Sequence, residues 1–162
     1  MEPRISIVTL GVDDLDRAVA FYEAMGLERH QKFTEGVAFF QMGGLILALW
    51  PREEMARDAG KPYHPRPRRS EIRAAEPGRP VVEEIVPDFS GVALAYNTRT
   101  EDEVADILAR AEKAGGRVLR KAGRAFWGGM QGYFEDTEGN LWEVAHNPDF
   151  PIDAEGRISL PE

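Results

Sequence analysis

The apolar and polar positions of residues 1–50 predict a strand, a helix and a hairpin. Residues 4–12 (RISIVTLGV) are aliphatic and β-branched, which is typical of a strand. In residues 13–26 (DDLDRAVAFYEAMG) the apolar side chains recur every three or four positions, and acidic residues occupy the first turn. This pattern predicts an amphipathic helix. Two more apolar runs, residues 35–42 and 45–50, are joined by two glycines that permit a tight hairpin.

The same order of elements recurs in residues 90–147. Residues 90–98 (SGVALAYNT) predict a strand, residues 101–116 an amphipathic helix stopped by two glycines, and residues 117–122 a short strand. A closing hairpin joins MQGYFED to LWEVAH through the turn TEGN. With a short extra strand near residues 28–32, the chain contains two βαβββ modules. Such internal repetition indicates two similar halves that bury their sheets together.

The two modules are separated by a proline-rich connection, residues 51–89, and followed by a tail, residues 148–162. The connection predicts one or two helical turns, and its prolines then prevent regular structure. A connection of this length forms a lid, a linker or a solvated loop. A basic cluster in it either attracts an anionic ligand or is simply solvated: Lys61, Arg66, Arg68, Arg69 and Arg73. In the tail, Phe150 and Ile152 would gain from burial, which predicts that it wraps over the body or over a partner subunit.

Composition narrows the class of protein. The formal charge of −8 and the pI near 5.0 argue against binding to nucleic acid, because phosphate attraction needs a basic surface. The chain has no cysteine, which excludes disulfides, thiol nucleophiles and thiolate metal ligands. No segment reaches the roughly 18 to 20 apolar residues that a membrane span requires. The amino end lacks a secretory signal, so a cytoplasmic protein is predicted.

Two stretches carry a family resemblance: VTLGVDDLDRAVAFYEAMGL at the start of the first module and YFEDTEGNLWEVA at the end of the second. They resemble the vicinal oxygen chelate superfamily, which includes glyoxalase I, bleomycin-resistance proteins and extradiol dioxygenases. The resemblance implies an α+β fold in which the two βαβββ modules form a U-shaped, curved mixed sheet around a cavity, with helices outside. It also implies a homodimer. When these proteins hold a divalent metal, His, Gln or Glu from the first and last strand of each module bind it.

Only one of these four inherited ligand positions carries a donor. Glu143 occupies the last-strand position of the second module. The matching position of the first module falls at Leu47 or Ala48, and the first-strand positions fall near Ile7 and Gly91. None of these side chains binds a cation, and one carboxylate falls short of the donor sets that hold divalent metals. The sequence therefore predicts no cofactor, with a divalent metal on Glu143 as the alternative.

Several side chains are predicted to line the cavity. Trp127 is the candidate for stacking on a ligand, and Tyr133 adds a second aromatic wall. Gln131 projects from the penultimate strand, where its amide either faces the cavity or bonds the sheet. Phe39 and its neighbour face opposite sides of one strand, and we expect Phe39 and Leu47 to line the cavity.

The predicted function is binding of a small organic molecule in this cavity without the usual metal. Glu143 then bonds a polar group of the ligand or acts as a general base. The alternative is a metal-dependent lyase, isomerase or dioxygenase of the same superfamily. His146 lies three residues beyond Glu143, so the two should face opposite sides of the strand and cannot share a metal. Trp142 is predicted to lie in the core.

Overall fold

A computed structural model describes residues 2–32, 35–65 and 90–160. The first module contains β1 (Ile7–Val12), α1 (Leu15–Ala24), β2 (Ala38–Met42) and β3 (Leu45–Pro51), followed by α2 (Arg52–Asp58). The second module contains β4 (Leu94–Asn97), α3 (Asp102–Lys113), β5 (Arg117–Arg124), β6 (Met130–Glu135) and β7 (Leu141–His146). The predicted α+β class and the order of elements in both modules are confirmed.

One predicted strand is present only as a bridge, and most of the predicted basic cluster cannot be compared with the structure. The extra strand expected near residues 28–32 is a single bridge between Arg29 and Phe40. Four arginines of the basic cluster, at positions 66, 68, 69 and 73, lie outside the described residues. The helical turns expected at the start of the connection are present as α2.

Each module forms its own sheet. The first sheet has the strand order β1-β3-β2 and the second has the order β4-β7-β6-β5. In both, the strand that precedes the long helix pairs in parallel with the last strand of the module, and the closing hairpin is antiparallel. The two sheets therefore repeat one topology. β1 and β4 each form an edge of their sheet.

The turn between β6 and β7 is organised by Asp136. Its carboxylate accepts the backbone N–H groups of Glu138 and Asn140 at 2.8 Å each, and the Asn140 amide donates to the other oxygen at 2.8 Å. Gly139 has a φ of 79°, in the left-handed region that favours glycine. These local bonds explain the residue types of the D-x-x-G-N turn.

Helix α1 lies between the two sheets. It begins after Asp14, whose carboxylate accepts the N–H of Arg17 at 3.0 Å and caps the helix. The Tyr22 ring contacts Phe40 of the first sheet and Trp142 of the second, with centroid separations of 5.9 and 6.1 Å. One helix therefore buries aromatic groups against both sheets, which share one core.

This packing gives each sheet a helix-covered face, which points into the shared core, and an open face on its other side. Within one chain α1 lies between the two sheets, and the open faces of the sheets lie on the far sides of the shared core. The reason is that adjacent residues Phe21 and Tyr22 are both almost fully buried, at 1% and 2% exposure, and reach both sheets. The prediction that Trp142 belongs to the core is confirmed.

The tail is held against the second module. The Arg99 guanidinium donates to the carbonyl oxygens of Ile152 and Asp153 at 3.1 and 2.7 Å. Phe150 and Ile152 are half-buried, as expected of apolar groups that wrap over the body. Among the residues that the structure describes, no helix is long and apolar enough to cross a membrane.

Candidate functional site

The open face of the second sheet is polar. Strand alternation sends Phe134, Trp142 and Val144 into the core, where they are 3%, 8% and 0% exposed. The residues between them point to the open side, because Tyr133 pairs with Glu143 and Gln131 with Ala145. From the adjoining strand β5, Arg120 pairs with Tyr133. Four polar side chains from three strands therefore meet on one face, and we call them the polar network: Arg120, Gln131, Tyr133 and Glu143.

Hydrogen bonds connect the members of the polar network in a row. With the Gln131 amide oriented to satisfy both of its polar atoms, its nitrogen donates to Glu143 Oε1 at 3.0 Å, and its oxygen accepts from Arg120 Nη1 at 2.8 Å. The Tyr133 hydroxyl lies beside the Glu143 carboxylate on the paired strand, and this neighbour raises the pKa of the hydroxyl. Gln131 is 7% exposed and lies in the middle of the row. It therefore links a cation to a carboxylate and holds both in place.

The electrostatics of the polar network keep Tyr133 protonated. Burial raises the pKa of the Tyr133 hydroxyl above its ordinary value, and the hydrogen bond to Glu143 and the charge of that carboxylate raise it further. The Arg120 guanidinium acts in the opposite direction. Tyr133 is consequently a neutral group beside Glu143, and the polar network presents a carboxylate and a guanidinium on either side of the Gln131 amide to anything that lies on the sheet.

Trp127 borders the polar network at one end. It lies in the turn between β5 and β6, and its indole packs directly on Gly129, so that a side chain at position 129 would collide with the ring and with the His146 carbonyl. By alternation Gly129 faces the same side as Gln131. The predicted stacking residue therefore lies as a half-buried wall beside the polar network. Phe126, its neighbour in the turn, is 100% exposed.

The open face of the first sheet carries an apolar patch, formed by Ile7, Phe39, Ile46 and Ala48, beside the polar residues Thr9 and Gln41. Ile7 pairs with Ile46, and Thr9 and Phe39 both pair with Ala48, so these side chains share one side. Phe39 and Ile46 border a cavity of about 660 Å³. Phe39 thus lies on the open face, as expected, while its neighbour is buried.

The structure does not bring all predicted site residues together. Leu47 lies on the helix-covered face of the first sheet and is 2% exposed, because alternation gives the open side to Ala48. Phe39 and the polar network belong to different sheets whose open faces point apart in one chain. Trp127, Gln131, Tyr133 and Glu143 do lie together.

The donors around Glu143 do not fit a divalent metal. Ala95 of β4 lies directly beside Glu143, while Gly91 precedes that strand, and the corresponding pair in the first sheet is Thr9 and Ala48. Glu143 already accepts from the Gln131 amide, and Arg120 adds a positive charge that opposes a cation. Residues 2–32, 35–65 and 90–160 contain no group of three or more His, Asp or Glu side chains that could hold a metal.

His146 has a different partner. It pairs with Met130, on the opposite side of the strand from Glu143, as the sequence predicts. Its Nδ1 lies 3.2 Å from the Thr98 carbonyl oxygen. His146 therefore fastens β7 to the end of β4.

Arg120 is the functional residue that the sequence pattern does not reveal. The pairing of β5 with β6 shifts register between Val118 and Arg120, so simple alternation does not tell which side Arg120 faces. The only signal in the sequence is a basic residue in a short strand that precedes two candidate residues on the next strand. The hydrogen bond between Arg120 and Gln131 can be inferred only when the position of the bulge is known.

Comparisons with known proteins agree with this two-module fold. The sequence matches the family model described as Glyoxalase/Bleomycin resistance protein/Dioxygenase superfamily over residues 4–144. The chain therefore belongs to this superfamily, which confirms the resemblance found in the sequence.

Solved structures in the same family resemble the chain over nearly its full length. A glyoxalase-related enzyme from Fulvimarina pelagi is 32% identical, with a TM-score of 0.77 and coverage of 99% of each chain. A lactoylglutathione lyase from Agrobacterium tumefaciens is 25% identical, covering 90% of this chain and 94% of its own, with a TM-score of 0.56. A family member from Nocardioides is 23% identical, covering 90% and 84%, with a TM-score of 0.64, and shows the fold alone. No curated protein matches.

Proposed function

We propose that this protein binds a small organic molecule on the polar network and that binding needs no divalent metal. The observation that carries the proposal is the row of hydrogen bonds from Arg120 through Gln131 to Glu143 on an open sheet face. A guanidinium and a carboxylate held on either side of one amide, next to an aromatic wall, form a prearranged recognition surface. The mismatch of the donor set with a metal supports the second part of the proposal.

The polar network favours a ligand with three features. The Arg120 guanidinium offers N–H donors to a carboxylate or carbonyl oxygen. The Glu143 carboxylate accepts a hydrogen bond from a hydroxyl or an amine. Trp127 offers an indole on which a flat apolar group can stack. An aromatic 2-hydroxy acid combines the three, and mandelate is the simplest probe of this kind.

Replacing Glu143 by Gln should weaken mandelate binding at least tenfold, or about 1.4 kcal/mol, because the neutral amide loses the charge-assisted bond to the hydroxyl group. The fold should persist, since an amide at position 143 can still accept from the neighbouring side chains. Titration calorimetry measures the affinity, and circular dichroism checks the fold. The matched control is Glu135→Gln, which changes a carboxylate of the adjacent strand β6, one that is paired with Arg117 at 2.7 Å. Equal mandelate affinity in the Glu143→Gln variant and the wild type would show that Glu143 does not contribute to binding.

The alternative is an enzyme in which Glu143 moves a proton on the bound molecule. The position of the Tyr133 hydroxyl beside Glu143 and the similarity to a glyoxalase-related enzyme favour it. A carboxylate beside the α-carbon of a hydroxy acid or ketone could act as a general base. Exchange of the α-proton in D₂O, followed by NMR, distinguishes the two functions. A binder leaves this proton in place, whereas a proton-transfer enzyme exchanges it and loses the exchange in Glu143→Gln.

We also propose a homodimer that closes the site. Because the two open faces point apart in one chain, the apolar patch of a first sheet can cover the polar network only when it comes from a second copy. Ile7 on the edge strand β1 is 48% exposed and belongs to that apolar patch. Burying such side chains against a second copy is favourable. A cytoplasmic location also stays a prediction, and cell fractionation tests it.

Ile7→Lys should convert the dimer into a monomer in analytical ultracentrifugation at micromolar concentration, because it places a charge in the apolar contact. Leu119→Lys is the matched control. Leu119 is 45% exposed, close to the exposure of Ile7, but it belongs to β5 at the far edge of the second sheet. The control should remain dimeric. A wild-type monomer under the same conditions would contradict the proposal.

A further inference from the structure

A second cavity lies away from the polar network, on the helix side of the sheets. It has a volume of about 300 Å³ and opens between the end of α1, the outer side of α3 and the edge strand β4. Six of its lining residues carry the argument: Phe21, Tyr22, Tyr96, Ile107, Arg110 and Trp142. Its volume is at the lower end of the range of about 300 to 1,000 Å³ found for ligand pockets. It suits a ligand smaller than most drugs.

The two buried polar side chains of this cavity, Tyr22 and Trp142, offer no free polar atom, and the Tyr96 hydroxyl lies on an exposed residue at its edge. The Tyr22 hydroxyl donates to Asp136 at 2.7 Å and accepts from the Trp142 indole N–H at 3.1 Å. Both of these buried polar groups are therefore satisfied inside the protein. Phe21 and Ile107 add only carbon to the lining. The body of the cavity favours an apolar or aromatic group.

Arg110 supplies a charge at the mouth of the cavity. Its side chain donates to the Met25 carbonyl at 3.3 Å, and among the described residues it forms no ion pair. A guanidinium has five N–H donors, so most of them are available to an anion. Gly26 next to it has a φ of 96°, and a side chain there would contact the Arg110 guanidinium. The approach to the charge is therefore clear.

We propose that this cavity is a second binding site, for a small aryl or alkyl carboxylate. The apolar part fills the aromatic cavity, and the carboxylate pairs with Arg110 in a two-pronged contact. The net charge of −8 repels anions in general, so any preference for an acid over its neutral analogue must come from a local cation. The site shares no residue with the polar network, so its test is independent of the test of the proposed function.

The test compares 4-phenylbutyrate with 4-phenylbutyramide by titration calorimetry on the full chain. The acid should bind about fivefold more tightly than the amide, as expected for one partly exposed ion pair. Arg110→Gln should remove this preference and leave the affinity for the amide unchanged. The matched control, Lys113→Gln, removes the same charge from the last turn of α3 and should retain the preference. In NMR spectra the indole signal of Trp142 should shift and that of Trp127 should not.

Three results would overturn the second site. The first is equal affinity of the wild type for the acid and the amide, and the second is no binding of either at millimolar concentration. The third is a preference for the acid that persists in Arg110→Gln but is lost in Arg120→Gln, which would place the carboxylate on the polar network. Arg110 is exposed, so its substitution by Gln should fold normally, and circular dichroism checks this.

Discussion

Glu138→Ala is expected to lower the free energy of unfolding by about 3 kcal/mol. The Glu138 side chain has no exposed area and lies in the hairpin turn of the second module. Its carboxylate accepts the backbone N–H groups of Asp13 and Asp14 at 2.7 and 3.2 Å and pairs with the Arg17 guanidinium at 2.7 Å. Removing this carboxylate leaves two backbone N–H groups at the start of α1 without an acceptor. It also removes the contacts that join the first module to the second at this turn.

Urea unfolding monitored by circular dichroism measures this loss. The control is Glu101→Ala, which also removes a carboxylate from an arginine, Arg124, at 2.6 Å. That pair is exposed, 63% for the arginine and 39% for the glutamate, so its loss should cost less than about 1 kcal/mol. Equal losses of unfolding free energy in the two variants would show that the contact between the turn and α1 stabilises the fold no more than an exposed ion pair does.

Tyr22→Phe is expected to lower the free energy of unfolding by about 2 kcal/mol at neutral pH. The substitution keeps the ring, which packs between Phe40 and Trp142, and removes only the hydroxyl. That hydroxyl donates to Asp136 and accepts from Trp142. A buried carboxylate and a buried indole N–H therefore each lose a partner. The effect should be smaller than that of Glu138→Ala, because fewer groups are left unpaired.

The same substitution should change the dependence of stability on alkaline pH. Burial, and then the charge and hydrogen bond of Asp136, raise the pKa of Tyr22 far above its ordinary value of 10.0. In the window above pH 10 the unfolded chain loses this proton and the folded chain keeps it, so the folded state loses stability as the pH rises. This pH dependence is absent from Tyr22→Phe. The difference in unfolding free energy between the wild type and the variant, which is the gap to be measured, should therefore narrow above pH 10. Urea unfolding at pH 8 and at pH 10.5 measures the gap, and a constant gap would contradict the assignment.

Local patterns in the sequence were sufficient to predict most of the secondary structure and part of the site. The helix that begins after Asp14 and the turn around Gly139 depend on residue types with strong local preferences. The opposite orientations of Trp142 and Glu143 follow from alternation along one strand. These features need no knowledge of distant contacts, because capping, turn geometry and strand alternation act over a few residues.

The features that the sequence did not reveal depend on contacts between distant elements. The position of α1 between both sheets depends on Tyr22 meeting Phe40 and Trp142, which are far apart in the chain. The side on which Arg120 lies depends on a bulge, and bulges have no reliable signature in the sequence. Leu47 was expected to line the cavity because its hairpin could be aligned in two ways. The pairing of β3 with β1 decides that Ala48 faces outward.

The most direct test of metal-free binding on the polar network is thermal unfolding of chelator-treated protein with mandelate, in the presence and absence of Mn²⁺, Ni²⁺ or Zn²⁺. Mandelate should raise the unfolding temperature of the wild type equally with and without each ion, and Glu143→Gln should lose this rise. The ions alone should have no effect. The account would be contradicted if an ion at about a hundredfold excess over its dissociation constant added about 2.7 kcal/mol of stability, and if mandelate bound only when that ion was present.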